Sequence, residues 1–83
     1  MRAMITPRQS KAARALLGWT QKQLSEGSGV KLGTVKDFES ERHAPSGKAL
    51  TAIVRAFQKA GLIHYFDHDG GGPGVRVKQE SAE

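Results

Sequence analysis

Two groups of residues in this chain of 83 carry side chains suited to chemistry. The later group is His64, Asp67, His68 and Asp69. A metal centre needs three or four ligands converging on one point, usually from rigidly spaced positions. These four fall at the end of a strand-like run and in the turn after it, so they read as a solvated turn and no metal is assigned. The neighbouring "GGGPG" lies late in the chain and precedes a strand, whereas a phosphate-cradling loop opens a helix. It reads as a turn or hinge. No Ser/His/Asp set and no carboxylate pair has the context of catalysis, so no catalytic residue and no cofactor are assigned, and the chain reads as a non-enzyme. The central group is "SGVKLGTVKDFES", residues 28–40. Lys31, Leu32 and Gly33 stand where a helix begins, although better helix formers would stabilise that turn more.

The elements that position this stretch can be read from caps and periodicity. "TPRQ" at 6–9 combines a Thr cap, a Pro at the first helical position and a Gln that completes a capping box. The helix it opens carries Ala12, Ala13, Leu16 and Leu17 as an apolar stripe and ends at Gly18. Trp19 follows as a core anchor. "TQKQ" at 20–23 is a second capping box, opening a brief helix that turns Leu24 inward. Gly29 is suited to the left-handed conformation of a tight turn. A third helix over about 32–40 buries Val35 and Phe38. Pro45 and Ser46 start a longer one, with Leu50, Ile53, Val54 and Phe57 inward and Gly61 at its end. "LIHYF" and "VRVK" then read as two short strands around a Gly-rich turn. The fold class expected is mainly α, a compact bundle of about four helices with a short C-terminal β-hairpin.

Composition limits the partners. Thirteen Lys and Arg face eight Asp and Glu, a formal charge of +5, which suits a polyanion whose counterions are released on binding. No apolar run approaches the roughly 20 residues that span a bilayer, so no membrane role is expected. The opening "MRAMITPRQSKAARALLG" lacks the apolar block of a signal peptide. The chain has no cysteine, which fits a reducing compartment such as the cytoplasm.

Two short helices joined by a Gly-containing turn, the second presenting small and polar side chains outward, form a helix-turn-helix. Here the chain resembles the Cro/C1-type (XRE-like) DNA-binding domains of phage repressors and small bacterial regulators. The resemblance covers residues 8–60 and rests on "LLGWTQKQLSEGSGVKLGTVKDFESERHAPS": the Trp-Thr-Gln run, Leu24, Gly29, Val35, the Phe38–Glu39 ending and Pro45. It implies double-stranded DNA as partner, with the third helix in the major groove. Leu32, Gly33, Thr34 and Asp37 become the base-reading set. Leu32 would touch a thymine methyl, Thr34 a base or phosphate, and Asp37 a cytosine amino group, while Gly33 allows close approach. Gln21, Lys22, Lys31, Lys36, Arg42 and His43 become contacts to the DNA backbone. Arg14 and Glu39 occupy the positions of an interhelical ion pair. Three features depart from the family pattern: Lys31 replaces a Ser/Thr cap, Gly33 replaces a polar reader, and Asp37 brings negative charge towards phosphates.

The organisation expected is a DNA-binding domain over 1–61, a hairpin over 62–79 that serves dimerisation, and a disordered tail over 80–83. One recognition helix reads only a few base pairs, so a homodimer on an inverted repeat is expected. Phe57, Leu62, Ile63, Tyr65, Phe66, Val75 and Val77 are assigned to its contact. Glu26, on the second helix, is a candidate contact for RNA polymerase or another protein partner. No small-molecule ligand is expected, because the chain has no room for a sensing domain. The setting implied is the nucleoid of a bacterial or phage-type cytoplasm. Two rival readings share the fold: an antitoxin that also binds its own operator, and a protein-interaction adaptor that has lost DNA binding.

Overall fold

The computed structural model describes residues 5–65 and 74–77, which form four helices and one two-stranded antiparallel sheet. The helices are α1 (Pro7–Leu17), α2 (Gln21–Ser28), α3 (Leu32–Glu39) and α4 (Gly47–Lys59), followed by strands β1 (Leu62–Tyr65) and β2 (Gly74–Val77). This is the mainly α bundle with a C-terminal hairpin expected from the sequence. Residues 80–83, the turn with Asp67, His68 and Asp69, and Phe66 lie outside the described residues.

Both capping boxes form. Thr6 Oγ1 accepts from the Gln9 amide at 3.0 Å, while Gln9 Oε1 accepts from the Thr6 amide at 2.9 Å. Thr20 and Gln23 repeat the exchange at 3.0 and 2.8 Å. Each box satisfies two of the amide groups that a helix start leaves without partners. Between α2 and α3 the chain reverses at Gly29, whose φ of 76° is left-handed. Two serines complete that turn: Ser25 Oγ donates to the Val30 carbonyl at 2.5 Å, and Ser28 Oγ accepts from the Val30 amide at 3.1 Å.

The core joins Ile5, Ala13, Leu24, Val30, Val35, Phe38, Ile53, Val54, Ala56, Phe57 and Leu62 into one cluster. Trp19 stacks on Phe57 with ring centroids 5.8 Å apart, a geometry that adds to the area the rings bury. The face α1 turns inward differs from the apolar stripe of its sequence. Gln9, Ser10 and Ala13 are buried, whereas Ala12 and Leu16 are exposed, Leu16 by 53%. Hydrogen bonds draw the polar pair inside: Ser10 reaches the carboxylate of Glu39, and Gln9 Nε2 donates to the Gly74 carbonyl at 3.0 Å.

That last bond ties the hairpin to its own bundle. β1 and β2 pair in the register Leu62↔Val77 to Tyr65↔Gly74, with β1 against α4 and β2 against α1. Two residues assigned from sequence to a dimer contact are therefore displaced from it. Phe57 is fully buried, and Leu62 is only 2% exposed. Both complete the core of their own chain, because the hairpin folds back over the bundle. Val75 also packs against that core, while Val77 remains 41% exposed.

The end of α3 has a feature that residue types did not announce. The Glu41 amide donates to the Phe38 carbonyl at 3.0 Å and the Arg42 amide to the Asp37 carbonyl at 2.8 Å. Those paired bonds are a Schellman ending, which requires a left-handed residue and usually takes glycine there. Here Glu41 holds φ = 63°. An L-residue with a β-carbon is disfavoured in that region. Glu41→Gly is therefore expected to stabilise the domain by about 0.5–1 kcal/mol, read from chemical denaturation. A loss of stability would show that the glutamate's side chain offsets the strain of its backbone.

Candidate nucleic-acid interface

What aims α3 is the carboxylate at its last residue. Glu39 is 1% exposed and accepts from three directions. Ser10 Oγ on α1 donates to Oε2 at 2.5 Å. Arg14, also on α1, straddles the carboxylate, with Nη2 2.7 Å from Oε1 and Nε 3.0 Å from Oε2. Gln21 Nε2, at the start of α2, donates to Oε1 at 3.1 Å. Arg14 Nη1 additionally donates to the Trp19 carbonyl at 3.2 Å. One carboxylate thus joins α1, α2, α3 and the corner between the first two. A bidentate Arg–carboxylate pair fixes orientation as well as distance.

Burial pushes the Glu39 carboxyl upward, but the bonds from Arg14, Ser10 and Gln21, with the charge of Arg14, outweigh it. The group lies below its ordinary value of about 4.5. A depressed folded-state value stabilises the fold fully above the unfolded value, and that contribution is lost as pH falls through the folded one.

With Val35, Phe38 and Glu39 turned inward, the 3.6-residue period puts Gly33, Lys36 and Ser40 on the outward line of α3. All three are exposed. Asp37 and Thr34 flank this line on one side and Leu32 on the other, each half-buried. Leu32 stands outside the core cluster. A β-carbon placed on Gly33 would meet nothing within 4 Å, so the chain's own packing does not require glycine there. No side chain caps α3, since Lys31 makes no capping bond. The Asp37 carboxylate has no hydrogen-bond or ion-pair partner among the described residues, although its backbone carbonyl holds Arg42. Ser40 was missed from sequence. The spacing 33, 36, 40 is the signal that finds it, and its Oγ donates to the Asp37 carbonyl at 3.2 Å.

Cations surround this face. Lys22, Lys31, Lys36 and Arg42 are exposed, as is the imidazole of His43, and Gln21 is half-buried beside Glu39. Arg14–Glu39 is the one ion pair among the described residues, so none of those cations is neutralised by a neighbouring carboxylate. The geometry is a short rod, anchored on one side and open on the other, with positive charge at its ends. Such a surface fits a groove lined by phosphates. Among the described residues no His, Cys, Asp and Glu cluster is placed to hold a metal, and no helix is long and apolar enough to cross a membrane.

Glu39→Gln leaves Arg14 facing an uncharged partner and is expected to cost about 2–4 kcal/mol at neutral pH. The gap to the parent should narrow as the pH of a denaturation series falls below about 4.5 and through the lowered value of Glu39, because the parent carboxylate then takes up a proton. Arg14→Met should remain folded but be less stable. The two changes together should show a coupling of about 1 kcal/mol or more. No coupling, or a gap that is constant with pH, would separate this pair from the stability of the fold.

A family model described as helix-turn-helix matches residues 11–60, more than half of the chain. No curated protein matches it. The matched span runs from within α1 to Ala60, the residue that caps α4, and so contains the Arg14–Glu39 pair, the Gly29 turn and the whole open face of α3. The hairpin lies beyond it. The chain therefore belongs to the Cro/C1-type (XRE-like) helix-turn-helix family of DNA-binding regulators.

Proposed function

We propose that this chain is a sequence-specific transcriptional regulator that binds an inverted-repeat operator as a homodimer, with α3 of each copy in the major groove. The observation that carries the reading is Gly33. It stands in the first turn of α3, on the exposed face and in open space, where alanine would make a better helix. A glycine retained there makes sense if the backbone itself approaches base pairs. Leu32, Thr34 and Asp37 stand beside it as readers, and Ser40 extends the line. Asp37, without an internal partner, accepts from a cytosine amino group and disfavours sites that lack one, because an unpaired carboxylate near phosphates is costly.

Gln21, Lys22, Lys31, Lys36, Arg42 and His43 supply the contacts to the sugar–phosphate backbone. Glu39 holds the Gln21 amide, so the buried pair that aims α3 also sets a phosphate contact. The dimer contact is assigned to the hairpin, through Ile63, Tyr65, Phe66, Val75 and Val77, with Leu16 of α1 added. Two features favour it. Each strand of a two-stranded sheet keeps one unpaired edge, and Leu16 and Val77 are the large apolar residues left most open among the described ones. The setting proposed is the nucleoid of a bacterial or phage-type cytoplasm. A protein partner such as RNA polymerase, through Glu26, belongs to the same reading.

In vitro selection of bound DNA tests the whole: a palindromic consensus would return half-site and spacing together. Selection of no consensus would favour the adaptor reading, in which the same face grips a protein. Gly33→Ala gives a sharper test. It should raise stability by about 0.5–1 kcal/mol and lower affinity for the selected operator by about tenfold or more. Higher stability with unchanged affinity would mean that Gly33 only covers solvent. If each of two copies neutralises about three to five phosphates, affinity should fall with salt at a log–log slope of roughly −5 to −9.

A further inference from the structure

We propose that Gln9 is a positioning residue that fixes the spacing of the two operator half-sites, by locking the hairpin to the reading head. The inference rests on the homodimer reading above, in which the hairpin carries the contact between copies. Gln9 is 3% exposed, and its side chain bonds in two directions. Oε1 accepts from the Thr6 amide at 2.9 Å, within the capping box of α1, and Nε2 donates to the Gly74 carbonyl of β2 at 3.0 Å. The next residue, Ser10, is fully buried and donates to Glu39 at the end of α3. Adjacent positions of α1 therefore hold the recognition helix and the hairpin, and α1 relays the position of one to the other.

The two ends of the hairpin are held differently. At one end Leu62, paired with Val77, is fixed by burial in the core. At the other end Gly74, paired with Tyr65, accepts from Gln9. These ends lie about 10 Å apart, at about 3.3 Å per residue. Leu62 and Val75 are held by apolar packing, which is non-directional and tolerates small rotations. The bond from Gln9 is directional and stops the far end from swinging. In a dimer joined through the hairpin, a swing there becomes a change in distance and angle between the two copies of α3. One inserted base pair moves a half-site by about 3.4 Å and turns it by about 35°. A hairpin held at both ends rejects such an operator, whereas one held at a single end follows it.

Gln9→Glu isolates the tie. A glutamate keeps the acceptor of the capping box but sets a carboxylate, without a donor, against the Gly74 carbonyl. Gln9→Met fills similar space and removes both bonds. The full chain and each variant are titrated at fixed salt against the selected operator, and against versions with one base pair added or removed at its centre. The parent should lose about tenfold or more in affinity for an altered spacing, and both variants about threefold or less, with base preference inside each half-site unchanged. Amide exchange across β2 should quicken about tenfold in Gln9→Glu, while that of α1 is kept. Ile53→Val, which weakens the core away from the tie, should retain the parent's spacing preference. A parent indifferent to spacing, a preference unchanged in Gln9→Glu, equal relaxation in Ile53→Val, or unaltered exchange across β2 would overturn the proposal and leave the regulator standing. A consensus without a palindrome would remove the homodimer, and the spacing role with it.

Discussion

A single buried carboxylate organises this domain. Glu39 sits at the end of the helix that must be aimed, and its oxygens accept from α1 and α2 at once. A charge taken out of water is costly unless it is paired and hydrogen-bonded. Satisfying Glu39 requires Ser10, Arg14 and Gln21 in one arrangement, and that arrangement sets the angle at which α3 leaves the bundle. The value of such a pair lies less in net stability, since apolar residues of equal volume often stabilise as well. It lies in direction. An apolar contact tolerates small rotations, whereas a two-pronged guanidinium–carboxylate bond does not.

This firmness at one end of α3 is matched by concessions along the rest of it. The helix starts without a side-chain cap, carries a glycine in its first turn and ends on a left-handed glutamate. Each feature weakens an isolated helix of eight residues, which is already too short to hold itself in water. Packing supplies what propensity withholds, through Val35 and Phe38 against the core and Glu39 against its donors. The outward line of Gly33, Lys36 and Ser40 is then free to be chosen for contact. The two helices that precede α3 show the opposite pattern, each opened by a full capping box.

The hairpin illustrates how a local pattern misleads about its setting. "LIHYF" and "VRVK" read as strands from residue type, and that local pattern does not say what covers them. In the fold they finish the bundle: Leu62 and Phe57 share one core, and Gln9 of α1 fastens the second strand through the Gly74 carbonyl. Left open outside that core, among the described residues, are Val77 and Leu16.

Much was legible in the sequence because it depends on neighbours along the chain. Thr6–Gln9 and Thr20–Gln23 are capping pairs at a spacing that backbone geometry alone dictates, and Gly18, Gly29 and Gly61 mark left-handed positions that few other residues occupy. The stripe Ile53, Val54, Phe57 obeys a helical period, so the existence and inner face of α4 follow from order alone. The fold class and the helix-turn-helix were readable for the same reason. Tertiary structure alone decided the rest. Ser10 and Gln9 are buried, and Leu16 exposed, because a carboxylate 29 positions from Ser10 and a carbonyl 65 positions from Gln9 draw α1 around. Glu41 turns left-handed because the chain must leave α3 towards α4. Polar burial and backbone strain are set by partners distant in sequence, and no local period carries them.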